Sequence, residues 1–197
     1  MAIDEAAPKR KRDAAATREA ILASAIEAFG RHGYDGAGVR EIAQGAGVTA
    51  KLVNRYFGTK EKLFAEAVDA SFMPPTIVRE ALEREGPGTL SERMADVLVR
   101  RTGPEAGAHG PFLITLRSAA NPVAAEVVRD GIERHVEARV AALLDGDDAR
   151  LRSDLTLSLM AGVWLLRHVI GVNALAEADH DRLRELITKA FDALVEE

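Results

Sequence analysis

Apolar residues recur every three or four positions along almost the whole chain of 197 residues, and glycine or proline breaks the pattern at intervals. Runs that alternate β-branched with polar residues, as strands do, are scarce. The pattern therefore predicts an all-α protein of about nine helices. We expect an N-terminal domain over residues 15–75 and a C-terminal helical domain over residues 76–197, because Pro74-Pro75 ends the fourth helix.

Caps and breaks place the individual helices. In the N-terminal part, a helix starts at the N-cap Asp13 and stops at Gly33, two short helices follow, and a fourth runs from Lys60 to about Met73. Five C-terminal helices are expected: from a capping box at 89–92 to residue 101, then 111–120, 122–145, 148–171, and from Asp179 onward.

The segment 39–57 has the apolar and glycine spacing of a helix-turn-helix. Ala43 is small enough for the two helices to cross, Gly47 suits the positive φ of a tight turn, and Val48 and Val53 fill the angle between the helices. The inward face is completed by Ile42, Ala46 and Tyr56. The spacing therefore predicts an N-terminal three-helix domain built around this motif.

The outward face of the second short helix is formed by Thr49, Ala50, Lys51, Asn54 and Arg55. Arginine and lysine pair with guanine edges or phosphates, and asparagine can bridge adenine in the major groove. This face predicts that the chain reads double-stranded DNA.

The charge distribution supports a DNA partner at one end only. The net charge is −5, yet residues 1–62 hold 11 Lys/Arg against 8 Asp/Glu, net +3, while the remainder holds 15 against 23, net −8. A basic DNA-binding domain joined to an acidic remainder is expected when only one end of the protein faces the phosphates of DNA. The run Lys9-Arg10-Lys11-Arg12 is either a flexible basic arm over residues 1–14 that follows the DNA backbone, or a solvated tail.

Composition narrows the remaining classes. The absence of cysteine excludes disulfides and thiolate metal sites and fits a cytoplasmic protein, and the first residues do not predict a signal peptide. The apolar run 155–176 is interrupted by Arg167 and His168, so it predicts a buried helix rather than a membrane span. Asp179-His180-Asp181 indicates a helix start more than a metal site. We expect no cofactor, and the absence of a catalytic motif argues against an enzyme.

Residues 15–75 resemble the DNA-binding domain of the TetR family of bacterial transcriptional regulators. The remaining residues resemble the variable C-terminal domains of that family only loosely. The matching residues are Thr17-Arg18, Ile21-Leu22, Phe29, Gly33-Tyr34, Ile42-Ala43, Ala46-Gly47-Val48-Thr49, Tyr56-Phe57-Gly58-Thr59-Lys60-Glu61 and Leu63-Phe64.

The resemblance implies roles for individual residues. The second short helix, which is the recognition helix of the motif, should face the major groove, and Lys60 should contact a phosphate. Asn54 stands where the family commonly has tyrosine, and Ala37 and Gly38 stand where it has serine or threonine, so Gly38 caps its helix without a hydroxyl. The expected DNA-binding residues are Arg40, Thr49, Ala50, Lys51, Asn54, Arg55, Tyr56 and Lys60.

The resemblance also implies an effector pocket in the C-terminal domain. Aromatic, thioether and cationic side chains lie on two otherwise apolar helices, and an apolar cleft with one or two cations suits an amphipathic or carboxylate-bearing small molecule. The same residues can instead be ordinary core or interface. The candidates are Phe112, Leu116, Arg117, Met160, Trp164, Arg167 and His168.

A dimer interface is expected on the last helix. One apolar stripe there would remain partly in water in a monomer. Its members are Leu183, Leu186, Ile187, Phe191 and Leu194.

Together these features predict a homodimeric, ligand-responsive transcriptional regulator, a repressor that binds a pseudo-palindromic operator and is released by a small-molecule effector. One alternative keeps the DNA reader but gives the C-terminal domain a protein partner and no small molecule. Another makes the chain a helical bundle with an enzymatic pocket and a vestigial reader, and it predicts no salt-sensitive DNA binding.

Overall fold

The computed structural model describes residues 7–73, 76–84, 88–103 and 110–195. Over these residues the chain is all-α, as predicted, and it forms eleven helices and no strand. Two compact units are present: the first comprises residues 1–71 and 109–131, and the second comprises residues 72–108 and 132–197.

The first unit contains the helix-turn-helix. Its helices are α1 (Ala7–Gly36), α2 (Val39–Gly45), α3 (Ala50–Phe57), α4 (Lys60–Ser71), α7 (Gly110–Ser118) and the first part of α8 (Pro122–Ile132). Helix α1 packs against α2, α4 and α7. The core of the first unit contains three aromatic rings. The Phe29 and Phe64 ring centroids lie 5.0 Å apart, edge to face, and the Tyr34 ring centroid lies 5.0 Å from that of Phe64.

The second unit contains α5 (Ile77–Glu83), α6 (Leu90–Arg101), the rest of α8, α9 (Ala149–Trp164), α10 (Asn173–Ala176) and α11 (His180–Val195). Helix α8 continues through a π turn, Glu133–Glu137, into Ala138–Ala141, and α9 continues through a second π turn, Leu165–Val169. The core of this unit joins α6 to α11, with Leu98 and Phe191 fully buried.

The predicted caps are present. Thr89 and Glu92 form a reciprocal capping box at the start of α6, with distances of 3.2 and 2.9 Å. Asn121 directly precedes the helix that Pro122 begins, and its Oδ1 accepts a hydrogen bond from the backbone N–H of Ala124 at 3.1 Å. Asp179 accepts from the N–H of Arg182 at 2.9 Å. These side chains set the helix starts that the sequence indicated.

Three expectations about helices were wrong in detail. Helix α1 starts at Ala7 rather than Asp13, because alanine, lysine and arginine all favour a helix and Pro8 is tolerated in its first turn. The described part of the expected flexible arm is therefore helical, whereas residues 1–6 lie outside the described residues. Helices α5 and α10 were not predicted, and they bring the described helices to eleven.

The chain leaves the first unit near Ser71, close to the expected boundary. It returns there at residues 109–131, which the sequence had assigned to the C-terminal domain. Contacts at the end of α7 and just before α8 explain the return: the N–H of Tyr34 donates to the buried Ser118 Oγ at 3.0 Å, and Asn121 Nδ2 donates to Asp35 Oδ1 at 2.8 Å. None of the helices in the described ranges is long and apolar enough to cross a bilayer.

Candidate functional site

The turn between α2 and α3 has the geometry that its glycine spacing indicated. Gly47 has a φ of 67°, which an L side chain rarely adopts, and the N–H of Val48 donates to the Ala43 carbonyl at 2.9 Å. Gly38 begins α2 without a side-chain cap, as expected. The turn therefore fixes the angle at which α3 leaves α2.

Sequence reasoning missed a second contact that holds α2. Ser24 on α1 donates its hydroxyl to the Ile42 carbonyl at 2.9 Å, and a Cβ on Gly45 would lie 2.4 Å from that hydroxyl. A side chain at position 45 would thus displace the Ser24 hydroxyl from this hydrogen bond, so the constraint on Gly45 is close approach and not its own φ. The only signal in the sequence is a glycine at the end of a short helix, which by itself reads as a cap.

Helix α3 is amphipathic, and its inner side chains anchor it. Val53 and Phe57 are buried, and Arg18 on α1 lies over the Phe57 ring, 4.8 Å from its centroid. Thr49 is the N-cap, its hydroxyl accepting from the N–H of Leu52 at 3.3 Å. An eight-residue helix is short, so these tertiary contacts and the cap stabilise it.

The outer face of α3 exposes the side chains expected to read DNA. Lys51, Asn54 and Arg55 are exposed, as are Thr49 and, on α2, Arg40. Ala50 and Tyr56 are half-buried. Within the described part of the chain, Lys51, Arg55 and Arg40 have no carboxylate in ion-pair distance. The helix thus carries cations that no nearby acid neutralises.

Lys60 lies at the start of α4 and contacts the end of α1. Its Nζ lies 4.8 Å from the centroid of the Tyr34 ring and 3.5 Å from the Asp35 carbonyl oxygen. Burial, together with the nearby carboxylates of Glu61 and Asp35, raises the pKa of the Tyr34 phenol above its ordinary value of 10.0. The ring therefore stays neutral, and its face holds the ammonium group against the end of α1.

The seven candidate effector residues divide between the two units. Phe112, Leu116 and Arg117 lie on α7 in the first unit, where the guanidinium of Arg117 donates to the Gly30 carbonyl. A Cβ on Gly33 (φ 69°) would lie 2.3 Å from the Arg117 carbonyl oxygen. Arg117 is thus part of the close packing between α1 and α7.

Met160, Trp164, Arg167 and His168 lie on α9 and its π turn in the second unit, and the first three are buried. The Trp164 and His168 ring centroids lie 5.2 Å apart. Arg167 is 4% exposed and donates to the Val99 carbonyl at 2.8 Å, to Thr102 Oγ1 at 2.9 Å and to the Leu175 carbonyl at 3.1 Å. Burial lowers the pKa of its guanidinium below the ordinary value for arginine.

A cavity of about 330 Å³ lies elsewhere in the second unit, between α5 and the π turn of α8. It contains none of the seven candidates. Sequence reasoning missed it because α5 was not predicted. The available signal was weak: Thr76 as an N-cap, followed by Ile77, Val78, Ala81 and Leu82 at helical spacing. The cavity is lined by Thr76, Val78, Arg79, Leu82, Glu83, His135, Val136 and Arg139.

The stripe expected to form the dimer interface is largely internal. Leu183, Ile187 and Phe191 are buried in the core of the second unit, where α11 packs on α6, so these three cannot face a partner chain. An apolar stripe shows that a face is buried, not what buries it. Leu194 is half-buried, and Leu186 is 47% exposed and remains accessible.

In the described part of the chain, no three His, Cys, Asp or Glu side chains are grouped as metal ligands would be.

An anchored helix-turn-helix with an exposed cationic second helix defines the first unit as a DNA-binding domain of the helix-turn-helix class. Family models then place the chain within that class. Residues 21–67 match the model described as bacterial regulatory proteins, tetR family, and residues 88–195 match the tetracyclin repressor-like C-terminal domain. The chain belongs to the TetR family.

Curated relatives carry the names of transcriptional regulators. The chain is 42% identical over 80 residues to the HTH-type transcriptional regulatory protein RaaS of Mycobacterium tuberculosis, covering 39% of this chain and 36% of that protein. It is 35% identical over 78 residues to the HTH-type transcriptional repressor AcnR of Corynebacterium efficiens, covering 39% and 42%. The alignments thus span well under half the length of these relatives.

The fold is shared over nearly the whole chain with a solved structure. A TetR-family regulator from Streptomyces coelicolor superposes with a TM-score of 0.57 at 26% identity, covering 93% of this chain and 96% of that one. The likeness therefore extends through the C-terminal helices, beyond the segment that the curated relatives match.

Proposed function

We propose that the protein is a homodimeric transcriptional repressor that binds a pseudo-palindromic operator and is released by a small-molecule effector. The observation that carries the proposal is the outer face of α3. Lys51, Asn54 and Arg55 are exposed there, no carboxylate neutralises the two cations among the described residues, and buried Val53 and Phe57 fix the helix. The name of AcnR as a repressor supports the direction of regulation.

In this function, α3 enters the major groove and its side chains divide the work. Asn54 and Arg55 read base edges, while Lys51 and Arg40 contact phosphates and set general affinity. Thr49, which is exposed, and Ala50 and Tyr56, which are half-buried, contribute further DNA contacts from the same helix, and Lys60 meets the backbone from the start of α4. Two copies of α3 occupy successive major grooves about 34 Å apart, so the operator has two related half-sites.

The second copy is proposed to pack on the outer faces of α9 and α11. Large apolar side chains are exposed there, Leu151 at 61% together with Leu155, Leu166 and Leu186, and Ile170, just after α9, is 60% exposed. Leu151, Leu155 and Leu166 fall at helical spacing on one helix, and such a patch marks an interaction surface. Leu186 keeps its expected role in the interface, whereas the buried members of the stripe support α11 from behind.

Release by an effector requires that the effector prefer a conformation with poorly spaced recognition helices. A coupling free energy of about 1–3 kcal/mol would weaken operator binding roughly 5- to 150-fold, and DNA would weaken effector binding by the same factor. The cavity of about 330 Å³ in the second unit supports an effector site in this part of the chain.

The first test is selection of bound sequences from a random DNA pool, followed by titration of the selected sequence at several salt concentrations. The expected result is enrichment of a site with two-fold related halves. Enrichment of a single half-site, or no enrichment, would contradict the proposal.

Analytical ultracentrifugation of the double variant Leu151→Glu with Leu155→Glu then tests the proposed dimer interface. These exposed changes should give folded monomers, whereas Leu143→Glu, at an exposed position on the described surface outside α9 and α11, should remain a dimer.

Thermal-stability screening against small molecules separates the effector hypothesis from a protein partner. A compound that stabilises the chain and lowers operator affinity supports an effector. Stabilisation by no small molecule, with operator affinity changed instead by a purified protein, supports the alternative.

A further inference from the structure

The cavity between α5 and α8 has an apolar floor. Val78 on α5 and Val136 in the π turn of α8 are both buried, and Leu82 lies at the rim, 41% exposed. A volume of about 330 Å³ is at the lower end of the usual range for small-molecule sites. The space therefore fits a compact apolar body.

The walls of the cavity carry more positive than negative charge. Glu83 is the carboxylate among the lining residues, and Arg79 already neutralises it, with 2.6 Å between Arg79 Nε and Glu83 Oε1. Arg139 also lines the cavity, and no described carboxylate pairs with its guanidinium. Among the residues that the structure describes, one cationic charge at the wall is therefore uncompensated.

The π turn brings polar and apolar groups to the same wall. Its five residues, Glu133–Glu137, include His135 and Val136, which both line the cavity. The His135 ring stacks on Phe72, with centroids 5.8 Å apart and planes 17° from parallel. Single π turns within α-helices are rare and frequently occur at functional sites, because the wider turn disrupts regular hydrogen bonding. This irregularity coincides with the cavity.

We propose that this cavity binds a small organic carboxylate. The apolar body packs on Val78 and Val136, and the carboxylate accepts hydrogen bonds from the Arg139 guanidinium, whose paired N–H groups match a carboxylate. A cationic ligand would meet the uncompensated arginine, and a neutral one would leave that charge without a partner. The inference deepens the proposed function by naming the class of effector, and it rests on that function only for the effect on DNA.

The experiment is isothermal titration calorimetry of the full chain with three probes that share one tail: octanoate, octan-1-ol and octylammonium. Octanoate should bind and the other two should bind at least about tenfold more weakly, as expected when a charge-assisted hydrogen bond is missing. Arg139→Ala should weaken octanoate by about the same factor. Arg139→Lys should fall between, because lysine keeps the charge but not the paired donors. The matched control is Arg129→Ala, an exposed arginine of α8 outside the cavity.

Several results would overturn the inference. These are no octanoate binding by the parent chain, equal binding of the three probes, or unchanged octanoate binding in Arg139→Ala. Circular dichroism of each variant confirms that it is folded. A separate titration of the selected operator, with and without octanoate, tests the proposed function. If octanoate binds through Arg139 but leaves operator affinity unchanged, the carboxylate site stands and its effector role is wrong. If no operator is found, the proposed function fails and the site is unaffected.

Discussion

Helices α3 and α11 are both amphipathic and both charged outside, but they manage that charge in opposite ways. On α11, Arg182 and Lys189 pair with Glu185, and Arg184 pairs with Asp181, at distances of 2.7 to 3.0 Å. Helix α3 contains no acidic residue, and its Lys51 and Arg55 have no described carboxylate partner. One helix neutralises its own surface, and the other leaves its cations available to phosphate.

The inner faces of the two helices differ in how many buried side chains anchor them. Helix α3 is eight residues long and is anchored by Val53 and Phe57. Helix α11 is twice as long, and Leu183, Ile187 and Phe191 join the main core of the second unit. Stability is therefore concentrated on the inside of α11 and recognition on the outside of α3.

The largest effect should come from the inside of α11. Phe191→Ala removes a fully buried ring and should lower the free energy of unfolding by about 3–5 kcal/mol, because the remaining core cannot fill the space. Urea denaturation followed by circular dichroism measures this. The control is Arg184→Ala on the same helix, which should have a much smaller effect because its side chain is exposed. Equal losses in the two variants would contradict the internal position of Phe191.

The next effect should come from the outside of α3. Arg55→Ala or Asn54→Ala, where the residue contacts a base, should weaken operator binding by ~1–3 kcal/mol and relax the preference at defined positions. Fluorescence titration with the selected operator and its single-base variants provides the measurement. Arg184→Ala on α11 is the matched control and should bind as the parent does. If neither α3 variant differs from Arg184→Ala, α3 is not the reading helix.

The contrast also shows why α3 could be predicted almost to the residue. Its limits are set locally, by Gly47 with its positive φ, by the Thr49 cap and by Gly58 after the last turn. Such signals act over a few residues, so the chain order alone reveals them. Which residues face outward follows from the same short register. The contacts of Ser24 with α2 and of Arg18 with Phe57 come from α1, and no local pattern specifies them.

The C-terminal assignments depended on tertiary neighbours and were less accurate. The stripe on α11 was correctly read as apolar, but periodicity does not tell whether α6 or a second chain covers it. Helix α5 has seven residues, fewer than two turns, which is too short for a clear periodic signal. The cavity is formed by α5 and a π turn together. The sequence signal for α5 was weak, and no pattern indicated the π turn.

A smaller effect should appear in the salt dependence of DNA binding. Lys51→Ala should weaken binding to all sequences alike and flatten the plot of log affinity against log salt by about 0.9 for each phosphate that is no longer neutralised, hence by nearly two in a dimer. Titrations at several salt concentrations measure the slope. Lys189→Ala, which removes a paired lysine of α11, should leave the slope unchanged. An unchanged slope in Lys51→Ala would mean that this ammonium group meets no phosphate.

The smallest predicted effect is a change in the pKa of Glu185, the carboxylate that pairs with two cations on α11. Hydrogen bonds and the positive charges of Lys189 and Arg182 lower the pKa of its carboxyl from 4.5 to about 2. Because the folded-state pKa is lowered, the stabilising contribution is present above about pH 4.5 and is lost as the pH falls towards 2. NMR titration of the side-chain carboxyl measures this directly. Lys189→Ala with Arg182→Ala should return the pKa towards 4.5, and high salt should raise it in the parent, because solvent screens exposed pairs. An ordinary pKa in the parent at low salt would show that the cations of α11 are as free as those of α3, which would remove the contrast between the two helices.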